Sequence, residues 1–199
     1  MPSMTRASVA TTSICLCLAA FGGACGDSSA AGGASAGGGP GTGGSAPAGA
    51  LVINEIQARG DEWVEIANGS DGDIDLSGFG LCDEDADGQC ETASAMRFPD
   101  GTVIGPGEYL VVLADQMDPD PGPHDVCIPG VTSCFYATWR VSAADGEVIR
   151  LIGADDAEVA QLLYPANATV DATTSWSRLP DMTGAADVGA PTPGAANMP

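Results

Sequence analysis

The chain has 199 residues, no lysine, one histidine and only 5% aromatic residues. Without lysine there is no side-chain amine for Schiff-base chemistry. All six basic residues are arginine and stand against 27 acidic ones, for a formal net charge of −21. A chain this acidic repels nucleic acid and anionic head groups over the Debye length, losing the electrostatic attraction that carries most non-specific nucleic-acid affinity. Nucleic acid is therefore excluded as a partner. The lone histidine, His124, lies among prolines. A catalytic triad needs a histidine held between a carboxylate and a nucleophile, and a zinc hydrolase typically needs more than one nitrogen ligand, so His124 reads as a surface imidazole. No long segment carries a 3.6-residue apolar period, and DPDPGP (118–123) fits neither a helix interior nor a central strand.

Long apolar runs are also missing. The longest near the start, SICLCLAAF (13–21) with Cys15 and Cys17, is too short to span a bilayer and follows a segment whose positive charges are Arg6 and the amino terminus. That order of weakly basic, apolar and then small residues is a secretory signal over residues 1–24, so the mature protein is expected to be exported. The run closes in FGGACGD, which resembles a bacterial lipoprotein signal in which Cys25 is acylated and becomes the new amino terminus. Gly23 and Ala24 fit the small positions, while Gly22 stands where an aliphatic residue is usual. The expectation is a lipid anchor at Cys25 that holds the protein in the cell envelope, at the outer membrane or cell surface. The alternative is an ordinary signal cut nearby, leaving a secreted or periplasmic protein with an odd thiol. Residues 25–50 are Gly, Ala and Ser with almost no large apolar side chain. They bury too little to offset ordering entropy and form a tether, about 25–30 Å long as a flexible coil.

From Leu51 the pattern changes abruptly, giving a domain over residues 51–199. Strand-like segments separated by Gly, Asp, Asn and Pro are LVINEIQA (51–58), EWVEIAN (62–68), DIDLSGFGLC (73–82), AMRF (95–98), TVI (102–104), EYLVVLA (108–114), SCFYATWRV (133–141), EVIRLIG (147–153), EVAQLLY (158–164) and TSWSRL (174–179). In EWVEIAN, Val64 and Ile66 share one face and Trp63 and Glu65 the other, as in a half-buried strand. EYLVVLA is apolar on both faces and predicts a central strand. Many short strands with regular turn signals specify an all-β antiparallel sandwich or barrel.

Several phrases in order, INEIQARGDEWVEIANGSDGDIDLSGFGLCD, RFPDGTVIGPGEYLVVLAD, GEVIRLIGADDAEVAQLLYP, SWSRLPDMTG and PTPGAAN, resemble the bacterial branch of the lamin tail domain family and together cover most of residues 51–197. The resemblance implies an immunoglobulin-like β-sandwich that usually serves as a non-catalytic module. Two segments depart from the family's pattern: DEDADGQ between Cys82 and Cys90, and QMDPDPGPHDVCIPGVTSC from Gln116 to Cys134.

Four cysteines lie within the domain, and export favours disulfides over thiols. Three connectivities are open; the local pairs Cys82 with Cys90 and Cys127 with Cys134 are preferred, since each brackets a loop between segments that antiparallel pairing would bring together. A closed loop of about nine residues contributes roughly 2–3 kcal/mol on the chain-entropy model. A four-thiolate zinc site needs closer spacing and a reducing compartment. Within the first loop, Asp83, Asp85 and Asp87 followed by Gly88 match the D-x-D-x-D-G opening of a calcium loop, with Gln89 and Glu91 at the next ligand positions. Ser94 stands where a bidentate glutamate would complete it, so any calcium affinity is expected near roughly 10⁻⁴–10⁻³ M. A solvated acidic hairpin tip explains the same residues. Asp115, Asp118, Asp120 and Asp125 lack that spacing and read as a proline-stiffened, solvated loop.

Arg59-Gly60-Asp61 spells RGD but reads as a turn between two strands, and Asn68 and Asn167 open glycosylation sequons that matter only in a host with that machinery. The resulting expectation is a non-catalytic, lipid-anchored surface module that binds a protein, glycan or envelope component. The alternative is an extracellular hydrolase, or hydrolase accessory, using the acidic loops.

Overall fold

The computed structural model describes residues 49–198. The expected signal peptide, nearly all of the tether, and the lipidation position Cys25 lie outside the described residues. Ala50, the last tether residue, is buried in the core, and its carbonyl accepts from Gly69 N at 2.7 Å, so the ordered domain begins slightly before Leu51.

The chain forms β1 (Leu51–Gln57), β2 (Trp63–Asn68), β3 (Ile74–Asp75), β4 (Gly80–Cys82), β5 (Met96–Arg97), β6 (Val103–Ile104), β7 (Tyr109–Leu113), β8 (Phe135–Tyr136), β9 (Gly146–Ile152), β10 (Glu158–Pro165), β11 (Ser175–Leu179) and β12 (Ala185–Gly189). These make a six-stranded sheet in the order β12-β11-β1-β2-β7-β8, a four-stranded sheet β10-β9-β4-β5, and a small β3-β6 pair. Every pairing is antiparallel except β7 with β8. The immunoglobulin-like all-β sandwich is thus the observed fold. Among the described residues no helix is long and apolar enough to cross a membrane.

Alternation along the strands builds the core. Ile53, Ile56, Val64, Ile66 and Val112 from the larger sheet meet Leu81, Met96, Ile149, Leu151, Leu162 and Tyr164 from the smaller. Phe98 and Phe135 meet edge to face, with ring centroids 4.9 Å apart, a geometry the ring quadrupoles favour.

Several segments differ from their sequence reading. DIDLSGFGLC is two strands, because the chain turns at Ser77-Gly78, where Gly78 has φ +74° and the Asp75 carboxylate accepts from Ser77 N. SCFYATWRV contributes only Phe135 and Tyr136 to a sheet, and AADVG forms an edge strand that sequence reading did not identify.

The main correction concerns β2. All six of its residues are buried, so it is not half-buried. Trp63 packs on the outer face of the large sheet with Val111, Leu113, Ile128 and Cys134. This second apolar cluster roofs one half of that face with the 116–134 loop. The loop is therefore only partly solvated: its aspartates are exposed, but Ile128 and Cys134 are buried.

Candidate functional site

The structure joins Cys82 to Cys90 and Cys127 to Cys134, with Cα separations of 5.7 and 6.0 Å, which are the local pairs preferred from sequence. Cys82 ends β4, and its clip closes a loop in which Asp85 organises the backbone. One carboxylate oxygen of Asp85 accepts from Asp87 N and Gln89 N, both at 2.9 Å, and Gly88 at φ +74° completes the turn. Arg150 donates to Gly88 O at 2.9 Å and lies 3.8 Å from the Glu84 carboxylate.

The proposed calcium ligands are not gathered by this fold. Asp85, Asp87, Gln89 and Glu91 are exposed, and Asp83 is turned toward Glu147. No group of three or more His, Cys, Asp or Glu side chains is placed to hold a metal ion among the described residues. The spacing of the aspartates serves the turn, since carboxylates two residues apart can cap amides as readily as they can ligate.

The second clip supports a stack. His124 lies flat on Tyr136 with ring centroids 3.6 Å apart, and its backbone exchanges hydrogen bonds with Cys134. Among the described residues the hydrogen-bond partner of the imidazole Nε2 is Asp120 O, at 3.1 Å, and not a nucleophilic side chain. Arg59-Gly60-Asp61 forms the β1–β2 turn, with Gly60 at φ +84°. Asn68 is fully buried, its Nδ2 donating to Gly72 O and Ile104 O.

Concave regions among the described residues include two of note. A groove of about 300 Å3 runs between the segment after the first clip and the second loop, lined by Ser94, Arg97, Pro119, Pro121, Tyr136 and Thr138, among others. Of the two departures from the family pattern, only the 116–134 loop borders this groove, through Pro119 and Pro121. A larger cleft of about 560 Å3 lies at the sandwich end, with Arg59, Glu62, Asp83, Arg140 and Glu147 in its wall. Glu147 shares the inward register of Ile149 and Leu151, so the fold that buries those residues also buries this carboxyl. Burial, and then its hydrogen bond to Asp83, push its pKa well above the usual carboxylate range. Arg140 is already engaged by Glu62 at 3.1 Å and Asp115 at 3.5 Å.

A third site was not identified from sequence. Glu55 on β1 and Glu65 on β2 are fully buried and directly opposite in the ladder, on the half of the outer face that the 116–134 loop leaves uncovered. The register shifts between Ile53 and Glu55, a bulge that directs Asn54 and Glu55 into one polar network while Ile53 and Ile56 both reach the core. The legible signal was this three-residue interval between core isoleucines in a strand whose period should be two.

Segment 190–198 covers this network. Glu55 accepts from Ser175, Ser177 and Thr192 N and lies 3.1 Å from Thr192 Oγ1, while Glu65 accepts from Asn54 Nδ2 at 2.9 Å and Gly194 N at 2.7 Å. Burial raises the pKa of both acids, that of Glu65 to about 8, against the lowering effect of those donors.

No curated protein matches the chain. The model of the lamin tail domain family matches residues 44–177, from before β1 to within β11. That match takes in the strands of both main sheets up to Ser177, covers well over half of the sequence, and agrees with the sandwich, so the chain belongs to the lamin tail domain family.

Proposed function

We propose that this protein is a non-catalytic surface module, exported and held by a lipid on Cys25, whose lamin-tail-type sandwich binds a protein, glycan or other envelope component. The observation that carries this reading is the groove bordered by the family-atypical 116–134 loop, where Pro119, Pro121, Tyr136 and Thr138 offer a stiff surface with little ordering entropy to lose on binding. Family membership favours a binding or structural module in general; the ligand is a matter of the site and not of the fold.

Calcium is the cation the first loop would take, at millimolar affinity. Both amide donors occupy Oδ1 of Asp85, so its Oδ2 could ligate without breaking them, whereas Asp83 would have to part from Glu147. Calorimetric titration, with Asp85→Ala as the control, decides this: heat that vanishes in the variant supports the site, and flat traces to millimolar calcium remove it.

The main reading is tested by expressing the full chain and its Cys25→Ser variant, and probing purified protein against arrays of glycans and envelope proteins. Fatty-acid labelling and membrane recovery should depend on Cys25. Binding should weaken at least tenfold in Pro121→Ala/Thr138→Ala. Binding indifferent to these groove changes would refute the site.

A second reading, a hydrolase or hydrolase accessory, is favoured by one observation: Glu147, a carboxyl held protonated beside Asp83 in an open cleft, as general acid–base pairs are. Turnover of glycoside or ester substrates that disappears in Glu147→Gln would establish it and displace the non-catalytic reading.

A further inference from the structure

We propose that segment 190–198 is a proton-gated clasp, seated on the outer face of the six-stranded sheet while the paired acids Glu55 and Glu65 carry protons, and released as they ionise. Glu55 and Glu65 are cross-strand neighbours with no exposed surface, and like charges so placed repel strongly in a low-dielectric setting. No ion pair reaches either acid among the described residues.

The other charged groups do not compensate. Arg178 on β11 donates to Ile53 O at 2.8 Å and Gly184 O at 3.1 Å, and not to a carboxylate. Asp181 adds a third acid, accepting from Asn54 Nδ2, Asn197 N and the Tyr109 hydroxyl. Asp187, opposite Ser177 on β12, is exposed and accepts from Val188 N. Tyr109 stays protonated, because burial and Asp181 raise its pKa.

The hydrogens point the same way. Thr192 Oγ1 lies 3.1 Å from Glu55 Oε2 and 2.7 Å from Asn197 Oδ1. The amide of Asn197 is oriented by Nδ2 donating to Asn54 O and Arg178 O, so Oδ1 is an acceptor. One threonine hydrogen cannot serve two acceptors. Both contacts are hydrogen bonds when Glu55 is protonated at Oε2, donates to Thr192, and Thr192 donates to Asn197. That relay ties the segment down at Thr192 and Asn197, while Gly194 N binds Glu65 between them.

Release therefore follows a definite sign. In the seated state Glu65 titrates near pH 8, whereas once uncovered it returns toward its ordinary value of 4.5. Opening then sheds a proton from Glu65, so its equilibrium constant grows about tenfold per pH unit between those values, and more steeply wherever Glu55 sheds its own, levelling above them. Lift-off would uncover a concentrated acidic surface beside β11.

Amide exchange in the full chain tests this, followed at Thr192, Gly194 and Asn197 from pH 5 to 9 and corrected for the intrinsic rate, with near-ultraviolet dichroism to confirm folding at each pH. Protection should fall at least about tenfold per unit up to pH 8, and the slope should diminish in Glu65→Gln and in Glu55→Gln. Thr192→Val, which keeps both acids, should lose protection but retain a slope. Wild-type protection independent of pH, or an unchanged slope in both glutamine variants, overturns the proposal; the wild-type titration decides even if a variant fails to fold.

Discussion

The two disulfides close loops of nearly equal length, with sequence separations of 8 and 7, so the chain-entropy model assigns each about 2.5 kcal/mol. Their structural surroundings differ. The 116–134 loop roofs Trp63, Val111 and Leu113, whereas the acidic loop is held chiefly by Arg150. Replacing Cys127 and Cys134 with alanine should raise the opening equilibrium of the second loop about 70-fold, the factor corresponding to about 2.5 kcal/mol. Each opening uncovers Trp63. In a background where Trp139 and Trp176 are phenylalanine, acrylamide quenching of Trp63 should increase in that variant and stay at its parent value in Cys82→Ala/Cys90→Ala. Unchanged quenching in the first variant, or an equal increase in both, would refute the roof.

Three further perturbations follow from the geometry. Tyr164→Phe removes the buried hydroxyl that lies 2.6 Å from Thr169 Oγ1 and accepts from Thr169 N at 3.1 Å, and should lower unfolding free energy in urea by about 1–3 kcal/mol. At Gly146, φ is +75° and an added Cβ would come within 2.5 Å of Ala166 N and 2.7 Å of Tyr164 O, so Gly146→Ala should cost at least about 2 kcal/mol and lower Tm by several degrees. Glu147 has a raised folded pKa, so its protonated form stabilises the fold at low pH, and stability is lost as pH climbs from 4.5 toward the raised value. Glu147→Gln should flatten that part of the profile in denaturant titrations between pH 5 and 8; an unchanged slope would count against the burial argument.

Legibility followed the range of the interactions. EVIRLIG was readable as a strand, and EYLVVLA, expected to be central, lies between β2 and β8, because each pattern reports a face that the strand's own neighbours cover. The family phrases and both cysteine pairs were readable for the same reason: each is local. The aspartate spacing in DEDADG was ambiguous at that range, since one geometry serves both amide capping and metal ligation; in the folded loop Asp85 caps Asp87 N and Gln89 N through one carboxylate oxygen.

Glu65 shows where local reading stops. In EWVEIAN a glutamate alternating with valine and isoleucine normally marks the solvent side of an antiparallel sheet. What buries it lies 129 residues away, at Gly194, and the other half of the same face is roofed by a loop that carries its own disulfide. A strand pattern records the polarity of a face but not what later lies over it. Polar residues on a covered face keep the alternation of an exposed one and differ only in having fixed partners. Those partners are Ser175, Ser177, Thr192 and Asn197, small hydroxyl and amide side chains that look like ordinary turn residues in sequence. Their common role emerges only when the bulge at Asn54 turns two consecutive polar residues to one side. The same bulge that obscures the strand's period therefore creates the buried acid pair, so in this fold the break in alternation was the informative feature and the alternation around it the misleading one.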